Sequence, residues 1–158
     1  MMTEEFVTLS AMRWLEDTGW EIIAYEYPQS GTGVLIRPDD AVDRTKEAVT
    51  PDILAYDRAH GAGLYFENKV AFSLADFRKI QMLRTATRYR RALSRLFPYG
   101  LPSRMGYGVA FLDLAANLGR ARKYLQMVDF IIAVAASGSV RVIFVQPEVP
   151  LPTAEEMG

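Results

Sequence analysis

Two short stretches in the middle of the chain carry side chains suited to phosphodiester chemistry: Pro51-Asp52, and Glu67-Asn68-Lys69 fifteen residues after that aspartate. Along a strand successive side chains alternate, so Glu67 and Lys69 share one face and Asn68 takes the other. If segments 52–57 and 64–70 lie side by side as antiparallel strands, Asp52 comes alongside Glu67. Two carboxylates and the main-chain carbonyl of Asn68 then make a hard oxygen site of the kind Mg²⁺ prefers, with Mn²⁺ as a substitute. A cation there lowers the pKa of bound water towards neutrality. Lys69 could orient or help deprotonate that water, or stabilise the charge of a pentacoordinate phosphate. The plainer alternative is that Glu67 and Lys69 are exposed neighbours forming a weak surface pair. The chain holds one acid-x-Lys triplet, and a second Pro-Asp, Pro38-Asp39, falls in loop-like sequence.

The elements that must position these residues follow from periodicity and capping. Segment 3–18 reads as a helix capped by Thr3, with Glu4 and Glu5 at the positive end of its dipole and Gly19 as its terminator. Phe6, Leu9, Met12 or Arg13, and Leu15 supply its helical spacing, with Trp14 flanking. Segment 20–27 is rich in strand formers, and 28–50 is an acidic loop with a short strand expected at 34–37. The strand-like runs 52–57 and 64–70 are joined by a Gly-rich turn holding His60, the lone histidine, read as a turn residue rather than a base. Ser73-x-x-Asp76 opens a long helix expected to reach Phe97 before Pro98. A Pro/Gly loop follows, in which Tyr99 and Tyr107 could stack on bases. Segment 107–114 reads as a strand. From 118 to 136 two readings compete, one continuous helix or a helix to 126 followed by a strand. β-branched Ile131, Ile132 and Val134 favour the second, with a hairpin at Ser137-Gly138. The sum is a single α/β domain over 1–146, a central mixed sheet flanked by helices, with a loose tail at 147–158.

Arg84, Arg88, Arg91 and Arg95 recur at helical spacing within the expected long helix and fall in an arc of about 60°. Such a stripe suits a phosphate backbone, or else forms a solvated face. Phe77 and Ile80 lie on the arginine side, which a covering element or a bend must explain.

The composition excludes several classes. With 158 residues, half of them hydrophobic, the chain can bury a core without staples. There is no cysteine, hence no disulfide, thiolate metal site or cysteine nucleophile. No apolar run approaches membrane length, and the N-terminal residues do not form a secretory signal, so the expected location is the cytoplasm. The formal net charge of −1 conceals a partition: −7 over residues 1–69, +9 over 70–123 and −3 over 124–158. An acidic part is joined to a strongly basic one, which keeps a nucleic-acid partner in play.

Pro51-Asp52, Glu67-x-Lys69, the leading helix and the helix after the lysine strand resemble the PD-(D/E)xK nuclease superfamily, which has the restriction-endonuclease-like fold. That resemblance implies metal binding by Asp52 and Glu67, a catalytic role for Lys69, and an acid from the first helix, with Glu5, Glu4 or Glu16 as candidates. It implies a Mg²⁺-dependent endonuclease acting on DNA more readily than RNA; because a domain of 158 residues reaches one strand easily, duplex cleavage favours a homodimer. The competing expectation is a nucleic-acid-binding or assembly module that keeps the fold without activity.

Overall fold

The computed structural model describes residues 2–39 and 47–151. Its elements are α1 (Glu4–Asp17), β1 (Glu21–Tyr25), β2 (Ile53–Asp57), β3 (Ala62–Asn68), α2 (Leu74–Thr85), α3 (Arg90–Leu96), β4 (Arg104–Leu112), α4 (Ala115–Ala121), a 3-10 segment (Arg122–Met127), β5 (Phe130–Val134) and β6 (Val140–Val145). The strands form one six-stranded sheet in the order β1 to β6. Pairing is antiparallel except for β3–β4 and β4–β5, which are parallel. This is the mixed α/β architecture expected.

Helices cover both faces, so the central strands are buried on both sides and read as nearly continuous apolar runs, β3 and β5 most clearly. On one face α1 packs Val7, Ala11 and Leu15 against Ile53, Leu64, Phe66 and Ile132. On the other, Phe77, Ile80 and Leu83 of α2, with Leu93 and Phe97 around α3, cover Leu54, Tyr65, Val109 and Ile131. α1 is capped as expected: the Thr3 hydroxyl accepts from the Phe6 N–H at 3.1 Å, and Gly19 takes a φ of +97° just beyond the end. Its buried stripe is in part the one anticipated. Leu15 is buried and Phe6, Met12 and Trp14 pack at the edge of the same core, but Val7 and Ala11 are its other buried members and Leu9 is exposed.

Three other expectations are corrected. Segment 34–37 forms no strand, only a bridge between Ile36 and Val49. The expected helix 73–97 is broken: Ala86 is extended at φ −77°, ψ 132°, which separates α2 from α3. In an unbroken helix Tyr89 would lie about 180° from Ile80, so both could not be buried. The break resets the phase, and both are buried. The chain after 146 is not wholly loose, since Val149 packs against Gly106 and is buried; residues 152–158 lie outside the described residues. The hairpin reading of 118–145 agrees with the structure, β5 and β6 pairing antiparallel. Among the described residues no helix is long and apolar enough to cross a membrane.

Two glycines test this packing. A Cβ on Gly108 would lie 2.4 Å from the Phe130 carbonyl oxygen and 2.6 Å from its ring, whereas one on Gly119 in α4 meets nothing within 4 Å. Gly108→Ala is expected to destabilise by about 3 kcal/mol and Gly119→Ala to stabilise by about 0.5–1 kcal/mol. Urea unfolding checks both, and equal effects of the two changes would contradict the β4–β5 packing described.

Candidate active site

The β2–β3 pairing sets Ile53 opposite Phe66, and Asp52, just before β2, lies near enough to Glu67 at the far end of β3 to feel its charge. The backbone of Asp52 is held from both sides: its N–H donates to the Phe66 carbonyl at 3.0 Å, and its carbonyl accepts from Glu26 at 2.9 Å. Its side-chain Oδ2 accepts from the Asn68 N–H at 2.7 Å. In a strand the N–H and C=O of one residue point the same way, so the Asn68 carbonyl also faces the Asp52 side. The Asn68 side chain takes the opposite face, where its amide donates to the Thr8 hydroxyl of α1 at 3.0 Å. This pins the end of β3 to the first helix.

Glu67 is only 6% exposed, beneath α2. Its Oε1 accepts from the Tyr65 hydroxyl at 3.3 Å and lies 2.6 Å from Lys79 Nζ. Lys69 sits one residue past the end of β3, anchored by its N–H to the Ala110 carbonyl, with Nζ 3.4 Å from Glu4 Oε1. Asp76 stands in the first turn of α2, where its N–H donates to the Ser73 hydroxyl at 3.2 Å. Its Oδ2 is buried without a hydrogen-bond partner among the described residues. Together with Glu67, Lys69 and Phe77, it lines a cavity of about 10 Å³, about the minimum for one water.

Burial governs the electrostatics. It pushes the Asp52 carboxyl up to about 8, reinforced by the Glu67 charge and opposed by the Asn68 N–H and Lys79. Glu67 is raised by burial against the opposing pull of Lys79, and Asp76 is raised by burial against Lys69 and Lys79. Burial works to lower Lys69, but Asp76, Glu4 and Asp52 together outweigh it and raise its pKa. These charges favour the ammonium form of Lys69.

The structure thus brings Asp52, Glu67 and Lys69 together at one end of the sheet. Of the first-helix acids, Glu4 reaches this cluster while Glu5 is exposed. Lys79, Asp76 and Tyr65 belong to it and were not singled out from sequence; Asp76 had shown only as a capping residue. Among the described residues no three acidic or histidine side chains converge as a metal cluster. Asp52, Glu67 and the Asn68 carbonyl are nevertheless the groups that could hold a hard divalent cation, because both carboxylates are desolvated and each carries a neighbouring acid's charge, Asp52 that of Glu67 and Glu67 that of Asp76.

The arginine stripe is not brought to this site intact. Arg84 Nε lies 3.0 Å from Asp129, and its Nη1 donates to the Gln126 carbonyl at 2.7 Å. Arg88 lies 2.8 Å from Glu47 across the helix break. Arg91 and Arg95 are exposed on α3. His60 pairs with Asp57 in the β2–β3 turn, so it has an orienting partner that sequence did not reveal. Tyr107 packs against Tyr65 with ring centroids 5.8 Å apart, and burial pushes its hydroxyl up to about 12, which makes it a packing residue. Comparison with protein-family models, with curated proteins and with solved structures gives no match to this chain.

Two outcomes follow from these charges. An unfolded aspartate titrates near 3.8, whereas folded Asp52 keeps its proton up to about 8. Between those values the folded state binds more protons, so this contribution to stability is complete below the lower value and is lost as pH rises through the upper one. Asp52→Asn keeps the acceptor for Asn68 and removes the charge; in EDTA at about pH 9 it is expected to raise Tm by about 3 °C, roughly 1 kcal/mol for this size. The gain should vanish near pH 4 in thermal melts, and parallel curves across pH would show that the Asp52 charge is not the cost. Lys79→Met leaves Glu67 buried without its cation and is expected to cost about 2 kcal/mol near pH 7. Adding Glu67→Gln should recover more than half of that loss in a double-mutant cycle. Additive losses would mean that the 2.6 Å contact contributes nothing.

Proposed function

We propose that this chain is a Mg²⁺-dependent nuclease that hydrolyses DNA phosphodiester bonds as an endonuclease, in the manner of the PD-(D/E)xK enzymes it resembles. The observation that carries the reading is the closeness of Asp52, just before β2, to Glu67 near the end of β3, with Lys69 near enough to feel the Asp52 charge. Asp52, Glu67 and the Asn68 carbonyl would hold the cation. When bound, it polarises the phosphodiester and neutralises charge developing on the phosphoryl oxygens. Lys69, kept protonated by Asp76, Glu4 and Asp52, donates hydrogen bonds to a non-bridging phosphate oxygen as negative charge accumulates there. Glu4 holds the Lys69 ammonium over the end of β3. The Asn68 N–H and the Tyr65 hydroxyl fix the two carboxylates in orientation. A cleft of about 210 Å³ lined by Glu4, Glu26, Tyr27 and Asp52 opens the carboxylate side to solvent. Because one chain presents one such site, cutting both strands of a duplex calls for a homodimer.

One observation favours a second reading. Lys79 Nζ, 2.6 Å from Glu67, supplies the counter-charge a metal would otherwise bring. A chain stabilised in this way could keep the fold and bind nucleic acid without cutting it.

Incubating supercoiled and branched DNA with Mg²⁺ or Mn²⁺ separates the two. The nuclease reading expects nicking by the wild type, reduced at least about 100-fold in Asp52→Asn, Glu67→Gln and Lys69→Met. Nicking that persists in all three variants would assign the activity to another site or a contaminant. Tight binding without any wild-type cleavage would establish the second reading.

A further inference from the structure

Beside α3 lies a cleft of about 390 Å³, with Leu35, Arg37 and Asp39 on one wall and Arg91, Arg95 and Leu96 on the other. The walls are locked together. The Asp39 N–H donates to the Arg88 carbonyl at 2.6 Å, the Tyr89 hydroxyl donates to the Glu47 carbonyl at 2.7 Å, and Arg88 pairs with Glu47. Ile36 bridges Val49 behind them. Arg91 and Arg95 are one helical turn apart, so their guanidinium groups line the same side of α3. Unlike Arg84 and Arg88, neither they nor Arg37 pair with a carboxylate among the described residues. Among the described residues, three cations thus share a cleft with a single acid, Asp39, and Leu35 and Leu96 add apolar wall beside them.

We infer that this cleft binds the phosphate backbone of a single nucleic-acid strand, with Arg37, Arg91 and Arg95 on the phosphates. Guanidinium forks match phosphate oxygens in pairs, and apolar side chains next to them give a sugar or base a surface to lie on. The cleft is separate from the carboxylate site. Phe97, which closes α3, lies over Gly63 at the other end of β3 from Glu67, four residues or about 13 Å along the strand. A strand held by the arginines is therefore gripped away from the carboxylates, and the inference stands whether or not the carboxylates cut.

Fluorescence anisotropy with a labelled single-stranded deoxyoligonucleotide in EDTA, across a salt series, tests it. Arg37→Ala and the pair Arg91→Ala/Arg95→Ala should each weaken binding at least about fivefold at 0.1 M salt. The slope of log affinity against log salt should shrink by about 0.7 for the single change and about 1.4 for the pair. Arg13→Ala, exposed on α1 across the sheet, serves as the charge control and should change affinity less than about twofold. Equal weakening by Arg13→Ala would reduce the effect to net charge and overturn the site. Unchanged affinity and slope in the cleft variants would overturn it as well, even where Asp52→Asn abolishes cleavage. Arginine-dependent binding without cleavage would uphold the cleft and remove the nuclease reading. A mononucleotide that binds with no oligonucleotide affinity would assign the cleft to a small phosphorylated molecule instead, against the inference.

Discussion

A carboxylate withdrawn from water must find a proton, a cation or hydrogen bonds, and at the end of the β2–β3 pair two of them stand side by side. Much of the surrounding structure answers that demand. The Asn68 N–H is turned onto Asp52, the Tyr65 hydroxyl and Lys79 onto Glu67, and Lys69 is held by Glu4. For Asp52 the answer falls short: burial and the Glu67 charge outweigh the Asn68 N–H and Lys79, so its carboxyl titrates near 8. For Glu67 a lysine at 2.6 Å opposes burial without overcoming it. Asp76, with one oxygen buried and unpartnered, adds to the surplus of negative charge. On the proposed nuclease reading, a divalent cation would match this remainder in charge and ligand preference.

The break at Ala86 divides the labour of the segment that follows β3. α2 runs back over the sheet with Asp76 and Lys79 directed at the carboxylates and Phe77, Ile80 and Leu83 beneath them in the core. α3 starts a new phase, burying Tyr89, Leu93 and Phe97 while Arg91 and Arg95 line a cleft. One continuous helix could not do both, because its apolar stripe would have to jump half a turn between Ile80 and Tyr89. The arginines on either side of the break consequently differ in role: Arg84 and Arg88 tie α2 and the connecting segment to Asp129 and Glu47, and those beyond it face solvent.

Local features of the sequence carried far here, and remote ones did not. Alternation and the Pro-Asp and Glu-x-Lys spacing were enough to bring Asp52 beside Glu67, since both depend only on two adjacent strands in antiparallel register. The Thr3 cap and the 129–145 hairpin were equally legible. Lys79 was not, because in the sequence it is one more member of a basic run, and its role comes from α2 crossing above β3. Arg84 and Arg88 looked like free members of a stripe because their partners, Asp129 and Glu47, lie some forty residues away. The conflict between Ile80 and Tyr89 was visible as a mismatch of phase, but periodicity alone does not say whether a helix bends, breaks or is covered. In α1 Leu15 and the edge residues Phe6, Met12 and Trp14 were legible, while Val7 and Ala11, rather than Leu9, complete the buried face.

The uneven distribution of charge along the chain is resolved by folding the acidic part onto the basic one. Glu67 with Lys79 and Glu47 with Arg88 join residues 1–69 to 70–123, and Asp129 with Arg84 and Arg141 with Asp113 join 70–123 to the last section. These contacts tie the sheet's loops and helices together, but they also remove half of the candidate phosphate-binding stripe, Arg84 and Arg88, from contention. What survives is selective. Arg91 and Arg95 come from the basic section, Arg37 comes from the acidic one, and only the folded chain brings the three to one cleft. A surface whose cations were all neutralised internally would have no long-range attraction for a polyanion, and one whose cations were all free would leave buried Glu67 and half-buried Asp129 without a counter-charge. The division of the arginines and lysines between these two tasks is therefore what lets a chain of net charge −1 stabilise buried carboxylates and still present a positive cleft.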